Sequence, residues 1–546
     1  MKNKPYDLYE LPLISDLKDM IIQKRDQKPN QIAFSFTKGR NTVVKKTYRD
    51  FFDEVVAMGT WICEQNLEGK HVAIIGENSY EWLVCFFAIV CSGGVAVPID
   101  KELPAEEIKN LLLTADVQAM IYSKSYKVVA ENSVEKLSQF LNRTDTFDIY
   151  PMANMEQYLN KGNELLELGH REFVDKKIDR KQMCCIIFTS GTSGKSKGVM
   201  LSNENIAEDI NRSCQLFKLD GNTMAVLPFH HAFGLVVAVF MAFQYGYTIF
   251  INRSIKSIQK DFQIAKPQTI FLVPLFVETF YKQIWTAARK NGKEKILIKM
   301  MKISDMLLNI GIDLRRFWFS DLLSNFGGNL EYIICGGASL NTRYIDSFRS
   351  WGIEVLNGFG TTECSPCAAV NRNHYHKDGS VGIAVPGIQV KTEEDGEILI
   401  KGPIVMIGYY KDNHATNEVL NDGWYSTGDL GTIDKEGFLT LTGRKKNLII
   451  LSNGENISPE ELESDFLKFE AVQEVLVREK NQKIVAEIFP SADYIIENVQ
   501  NGNIQEYFDD IRKKVNDDRP LYKQVSEVIL RDSEFPKNTS KKILRY

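Results

Sequence analysis

The sequence predicts an α/β protein: a large amino-terminal region of several subdomains with layered sheets and helices, then a small α+β domain at the carboxyl end. Three observations carry this expectation. Short apolar runs alternate with helix-length segments through most of the chain, as in largely parallel sheets. Near residue 390 the rhythm changes to short strands separated by turns. A clearly signalled helix then starts at Ser458.

The leading segment reads as a helix followed by alternating units. Residues 72–76 form an apolar run that ends at a glycine, which predicts a buried strand. Residues 79–91 predict a helix, and the run that begins at Gly93 predicts the next strand. A charged helical stretch around residues 106–113 leads into another strand, ADVQAMIYS. The same rhythm returns at residues 184–188, 224–227, 269–273 and 332–335. Residues 397–401, 437–442 and 448–451 are short strand candidates. Asp395-Gly396 and Asp422-Gly423 supply turn signals. At residue 458 a Ser caps, Pro459 suits the first helical turn and Glu461 completes a capping box. Leu462, Phe466 and Leu467 then share one buried face. The expected division is 1–442, a connecting stretch at 443–447, and 448–546.

Length and composition bound the function classes. At about 150 residues per domain, 546 residues suggest three or four folding units. Lys plus Arg is 66 and Asp plus Glu is 71, a net charge of -5, so a strongly basic nucleic-acid binder is not expected. Nine cysteines form no disulfide framework and favour a reducing compartment, hence a cytoplasmic location. The start of the chain lacks a signal peptide's apolar core. The longest apolar runs, 82–90 and 233–243, fall short of the roughly 18 to 20 residues a membrane helix needs. They predict buried elements; peripheral membrane contact is compatible with this composition.

The strongest local signal is CCIIFTSGTSGKSKG at residues 184–198. An apolar strand feeds a run of glycines and hydroxyl residues: Thr189, Ser190, Gly191, Thr192, Ser193 and Gly194. The glycines allow backbone N–H groups to approach an anion closely. Lys195 and Lys197 add positive charge. The run predicts phosphate binding, yet it is not a Walker loop. Thr189 stands where that motif places its first glycine.

This loop resembles the phosphate-binding signature of the adenylate-forming superfamily, which includes acyl- and aryl-CoA ligases, luciferases and nonribosomal adenylation domains. Further stretches between 184 and 545 carry the same resemblance in the expected order. It implies that the NGFGTTE segment places Phe359 against adenine, with Gly360 beside it. Thr362 would contact phosphate and Glu363 would help to hold Mg²⁺. Gly337 and Ala338, in GGASL, would line the adenine site and the acyl pocket. Asp429, in YSTGD, would bind the ribose hydroxyls, with Arg444 at the ribose and phosphate. Lys542 matches the terminal catalytic lysine, with Lys541 as the alternative register. Asn538 and Lys541 depart from the usual Thr and Gly. Lys446 matches the hinge pivot, followed by Asn447 where an acidic residue is common. Gly454 and Glu455 belong to the loop that serves thioester formation.

In PFHHAFG, His231 aligns with the pocket histidine that contacts the carboxylate or gates the pocket. No Asp follows at the position where amino-acid-selecting relatives hold an α-amino group. Cys364 and Cys367 have CxxC spacing but directly follow Glu363, so neither redox nor zinc chemistry is expected. The resemblance implies ATP-dependent activation of a carboxylate with Mg²⁺, then transfer to CoA with release of AMP and pyrophosphate. A medium- or long-chain fatty acid is the favoured substrate. The alternatives are an aryl-CoA ligase, transfer to a carrier-protein phosphopantetheine, and a noncatalytic nucleotide- or acyl-binding protein.

Overall fold

Along the strand His71–Ile75, alternate side chains serve two different cores. Val72 and Ile74 enter one cluster, and Ala73 and Ile75 enter another. This period of two is the pleat of a sheet buried on both faces. The computed structural model describes residues 6–39, 42–141, 147–190, 196–338, 340–450, 456–481, 483–499, 503–517, 519–537 and 543–545.

His71–Ile75 belongs to a seven-stranded sheet. Its order is Gly408–Tyr409, Ser196–Ser202, Met183–Ser190, Val95–Ile99, His71–Ile75, Ala119–Tyr122 and Asp148–Pro151. A nine-stranded sheet runs Ile383–Ala384, Ala369–Val370, Glu354–Phe359, Tyr332–Cys335, Thr269–Leu272, Thr223–Ala225, Ile249–Ile251, Ile32–Lys38 and Thr42–Thr47. The middles of both sheets are parallel; antiparallel pairs close both edges of the nine-stranded sheet and the Gly408–Tyr409 edge of the other, whose Asp148–Pro151 edge is parallel. One buried cluster takes side chains from both sheets and from the helices Tyr48–Glu64 and Tyr80–Cys91. Every residue of Tyr80–Cys91 except Glu81 is buried, which explains a helix that is apolar on all sides. Helices Ala105–Thr114 and Lys127–Leu141 cover the outer face of the first sheet. Pro274–Lys290 and Thr342–Ser350 cover the outer face of the second. The layers therefore alternate helix and sheet across both sheets.

A smaller antiparallel sheet follows, built around Glu397–Lys401 and Trp424–Ile433. Its turns use both expected dipeptides. Gly396 has φ +85°, and Asp422 and Gly423 have φ +49° and +78°. The carboxyl end forms its own α+β unit. Val472–Lys480 and Lys483–Pro490 pair antiparallel, Glu527–Leu530 adds in parallel, and one core draws only on residues from Ile449 onward.

Two local expectations change. Ser458 does not cap helix Pro459–Phe466. Its hydroxyl donates instead to the Thr442 carbonyl (2.6 Å) and lies 3.0 Å from Glu460 Oε2, stitching the helix start to the preceding strand. The apolar run after Phe233 is buried as expected, but Phe233–Phe240 is π-helical before α-helix Met241–Tyr245. Leu462 and Phe466 are buried and Leu467 packs against them, as the spacing predicts. No described helix is long and apolar enough to cross a membrane.

Helix Met155–Glu167 approaches Tyr48–Glu64 through Gly162, where a Cβ would lie 1.9 Å from the Ala57 carbonyl oxygen. Gly162→Ala should therefore lower stability by about 1–3 kcal/mol, although alanine is the better helix former. A denaturant melt checks this; an unchanged midpoint would show that the helices separate freely.

Candidate active site

Ligands of parallel sheets sit beyond the carboxyl ends of the strands. Tyr332–Cys335 and Glu354–Phe359 run in parallel, with Cys335 beside Asn357. Their ends carry Gly336, Gly337 and Ala338 on one strand and Phe359 and Gly360 on the other. Gly337 has φ +84°, a left-handed turn that leaves it and Ala338 exposed. Phe359 is buried at its strand end. Gly360 is required by space, since a Cβ would lie 1.6 Å from the Pro366 carbonyl oxygen.

The next turn, Thr362–Cys364, is a single 3₁₀ turn that turns Glu363 inward. Glu363 is only 9% exposed. Its Oε1 accepts a 2.8 Å hydrogen bond from the Tyr409 hydroxyl, and its carbonyl accepts from Met406 N at 2.8 Å. Ser365 Oγ donates to the Ile404 carbonyl at 2.8 Å. Three bonds thus pin the signature turn to residues 404–409. Tyr409 is itself on the edge of the other sheet, opposite Val199. Lys197 Nζ lies 4.7 Å from the Tyr409 ring centroid, a cation–π contact. Burial, and then the Glu363 carboxylate, push the Tyr409 phenol well above its ordinary range, so it remains a proton donor. The sequence reading missed Tyr409 because Gly408–Tyr409 is a two-residue strand with no periodicity to see.

Lys197 lies on strand Ser196–Ser202, which pairs antiparallel with Met183–Ser190 and sets Thr189 opposite Lys197. The glycine-rich segment joins these two strands, so both of its flanks are fixed. Its middle, Gly191, Thr192, Ser193, Gly194 and Lys195, lies outside the described residues. Ser190 is placed by its backbone alone.

Asp429 and Arg444 face each other across antiparallel strands, and Arg444 Nε lies 2.7 Å from Asp429 Oδ1. Asp429 is nearly buried, whereas Arg444 is half exposed. Thr427 Oγ1 accepts from Asp429 N at 3.0 Å, which fixes the backbone beneath the carboxylate. Beyond Arg444, Lys445 pairs with Asp395 (2.6 Å) and Glu397 (2.7 Å). Burial lowers the Lys446 pKa, as does the nearby Arg444. Asn447 Nδ2 donates to Glu460 Oε1 at 2.5 Å. This explains an amide in that position: an aspartate there would set two like charges against each other.

The terminal segment is pinned on both flanks. Lys537 and Ile543 form an antiparallel bridge, and Leu544 N donates to the Pro536 carbonyl at 2.9 Å. Arg545 bonds Glu463, whose other oxygen accepts from Val477 N at 2.7 Å. Lys541, Lys542, Gly454 and Glu455 lie outside the described residues.

His231 sits in the loop that enters the π-helix, its N–H donating to the Pro228 carbonyl at 3.2 Å. Its ring centroid is 4.3 Å from that of His230. His230 is the more buried of the two, with Nε2 3.4 Å from Asp100 Oδ1 at the end of strand Val95–Ile99. Burial, then His231 and Lys101, hold the His230 pKa well below its ordinary value. Asn78 clamps the same loop. It donates to the Leu227 carbonyl at 2.8 Å and accepts from Phe229 N at 3.1 Å. Asn78 and Asp100 were not legible as site residues, because each follows a different strand of the opposite sheet. Cys364 and Cys367 are free thiols, and burial raises the pKa of each. Among the described residues, no group of three or more His, Cys, Asp or Glu is placed to hold a metal ion.

Residues 22–410 match the family described as AMP-binding enzyme. The chain is 29% identical over 432 residues to long-chain-fatty-acid–CoA ligase FadD15 of Mycobacterium bovis, covering 75% of this chain and 71% of that protein. Among solved structures, it resembles an anthranilate CoA ligase in complex with anthranoyl-AMP. The TM-score is 0.78 at 17% identity, over 98% of this chain and 96% of that one. It also resembles o-succinylbenzoate CoA synthetase of Bacillus subtilis in complex with ATP and magnesium ion. There the TM-score is 0.72 at 21% identity, over 96% and 98% of the two chains.

The His230 environment makes a pH prediction. The folded state holds the ring neutral, while the unfolded chain takes up a proton near the ordinary value of 6.5. Below that pH the unfolded state binds the extra proton, so stability falls as pH drops, by at most about 1.4 kcal/mol per pH unit. His230→Gln should flatten this part of the curve of melting temperature against pH. An identical slope in the variant would assign the effect elsewhere.

Proposed function

The chain belongs to the AMP-binding enzyme family, and from that membership we propose that it is an AMP-forming acid–thiol ligase. It activates an acyl or aryl carboxylate with ATP and passes the acyl group to CoA. The observation that carries this proposal is the convergence of Glu363 and Lys197 on Tyr409, beside the strand ends that bear Gly337 and Phe359.

In the first step a carboxylate oxygen attacks the α-phosphorus of ATP and pyrophosphate leaves. Thr189, Ser190, Gly191, Thr192, Ser193, Gly194, Lys195 and Lys197 hold the phosphates. Phe359 stacks on adenine along the wall formed by Gly337, Ala338 and Gly360. Asp429 and Arg444 take the ribose. Thr362 contacts the α-phosphate, and Lys542 offsets the charge that develops there. His231 borders the carboxylate. Glu363 suits Mg²⁺: it is a buried carboxylate with one oxygen fixed by Tyr409, and Mg²⁺ commonly takes one or two carboxylates plus substrate phosphates. When bound, the ion neutralises phosphate charge. In the second step the CoA thiolate attacks the acyl-adenylate carbonyl and AMP leaves. We assign 443–447 as the hinge, with Lys446 as pivot. Rotation of 448–546 about it exchanges the Lys542 segment for Gly454 and Glu455.

For the acid itself, a medium- or long-chain fatty acid is supported by the M. bovis relative, whose name is that of a long-chain-fatty-acid ligase. An aryl acid is the second reading, supported by fold likeness to the anthranilate and o-succinylbenzoate enzymes. A panel of fatty and aryl acids with ATP and Mg²⁺, with and without CoA, separates them by AMP and thioester formation. If no carboxylate promotes AMP release, the ligase assignment fails. Thioester formed only on a carrier protein would reassign the acceptor.

Lys542→Ala should slow adenylation at least about 100-fold while ATP binding changes little. Unchanged adenylation would move the role to Lys541. Tyr409→Phe should raise the Mg²⁺ concentration for half-maximal AMP formation about tenfold, with the rate recovered at saturating Mg²⁺. An unchanged Mg²⁺ dependence would make Tyr409 a packing residue only.

A further inference from the structure

Outside the site, the largest departure from ordinary surface chemistry is helix Glu294–Asn309 and the turn after it. One side of the helix packs on the helices Pro274–Lys290 and Thr342–Ser350 and joins their core through Leu297, Met300 and Met301. Ile296, Ile303 and Ile310 recur every seven residues, which aligns them in a file roughly 100–140° round the helix from Leu297, bordering the packed side, with Ile303 half-buried. Ile296 is 58% exposed and Ile310 is 68% exposed. Met306 is also exposed, and Phe317, just beyond, is 78% exposed. Isolated exposed apolar residues need no explanation, but a file of them about 20 Å long does.

Lys295, Lys299 and Lys302 are exposed beside this file, on the side of the helix away from Leu297. Among the described residues none of these three makes an ion pair. The acidic neighbours Glu294 and Asp313 are engaged by Arg289 (2.9 Å) and Arg315 (2.8 Å), and Asp305 Oδ1 accepts a 2.8 Å hydrogen bond from Ser350 Oγ. Between residues 282 and 318 there are nine Lys or Arg and three Asp or Glu, a balance of +6 in a chain of net charge -5.

We propose that this face docks the protein on an anionic lipid bilayer. Unpaired lysines match lipid phosphate, and the apolar file enters the boundary between headgroups and acyl chains. A nucleic acid would satisfy the lysines but leave the isoleucines and Phe317 in water. The face does not overlap the residues assigned to ATP or the carboxylate, so the proposal stands whichever acid is the substrate.

The test is co-sedimentation of the full chain with phosphatidylcholine vesicles, with and without phosphatidylglycerol. Binding should require phosphatidylglycerol and weaken with salt. The triple variant Lys295→Gln, Lys299→Gln, Lys302→Gln should bind roughly 100-fold more weakly, at about fivefold per lysine lost near the surface. The triple variant Ile296→Ser, Ile310→Ser, Phe317→Ser should lose binding, with an unchanged melting temperature. Equal binding by both variants, or no binding by the parent chain, overturns the proposal. So does a dimer of the parent chain that the apolar variant converts to monomer, since the face would then be covered by a second copy. Retention on a single-stranded oligonucleotide but not on anionic vesicles would reassign it to nucleic acid.

Discussion

The hydrogen bond from Tyr409 to Glu363 joins the two large sheets at the place where both end. Tyr409 lies on an edge strand of one sheet, and Glu363 follows a central strand of the other. Because both groups are buried, breaking this bond would strand a carboxylate away from water, which costs more than the bond itself contributes. The Met406 and Ser365 bonds to the same two segments leave the signature turn little freedom. Lys197, against the Tyr409 ring, extends the connection to the flank of the glycine-rich segment. The segment proposed for the phosphates and the carboxylate proposed for Mg²⁺, which belong to separate sheets, are thereby held in one register.

Much of the layering was legible because buried parallel strands leave an unmistakable local pattern. The runs at 72–76, 184–188, 269–273 and 332–335 all correspond to strands, since each must be apolar on both faces. The edge hairpin Ile32–Lys38 and Thr42–Thr47 was not read. Its second strand, TVVKKT, is half exposed and carries charge, so its composition does not mark it as a strand. The π-helix at Phe233 was also illegible, because an apolar run says that a segment is buried but not how its carbonyls are paired.

Within the candidate site, residues that sit in contiguous motifs were legible as candidates, and residues that act through tertiary contact were not. Phe359, Glu363, Asp429 and Arg444 stand in motifs that the chain presents whole. Asn78 reaches the histidine loop from 149 residues away, a separation no local pattern can signal. Ser458 shows the opposite error. Its local pattern met every rule for a helix cap, yet the Thr442 carbonyl competed successfully for its hydroxyl. Gly443 supports that choice, since a Cβ there would lie 2.0 Å from Ser458 Oγ. A glycine and a serine fifteen positions apart thus form one contact across the segment assigned as the hinge.

The unequal burial of Asp429 and Arg444 has a consequence for that hinge. Asp429 is fixed by its strand and by Thr427, while Arg444 is half exposed, so the arginine is the member free to swing. Swinging it away alone would remove a 2.7 Å ion pair from a nearly buried carboxylate, a costly change. On the proposed role of Asp429, ribose hydroxyls are donors that could take the place of the guanidinium, so nucleotide occupancy would ease release of Arg444. Arg444 is next but one to Lys446, whose charged form is already disfavoured by burial and by Arg444 itself. Moving the guanidinium changes the field at the pivot. On the proposed roles, occupancy of the ribose site and the charge balance at Lys446 form one coupled equilibrium, through which the nucleotide biases when the small domain turns.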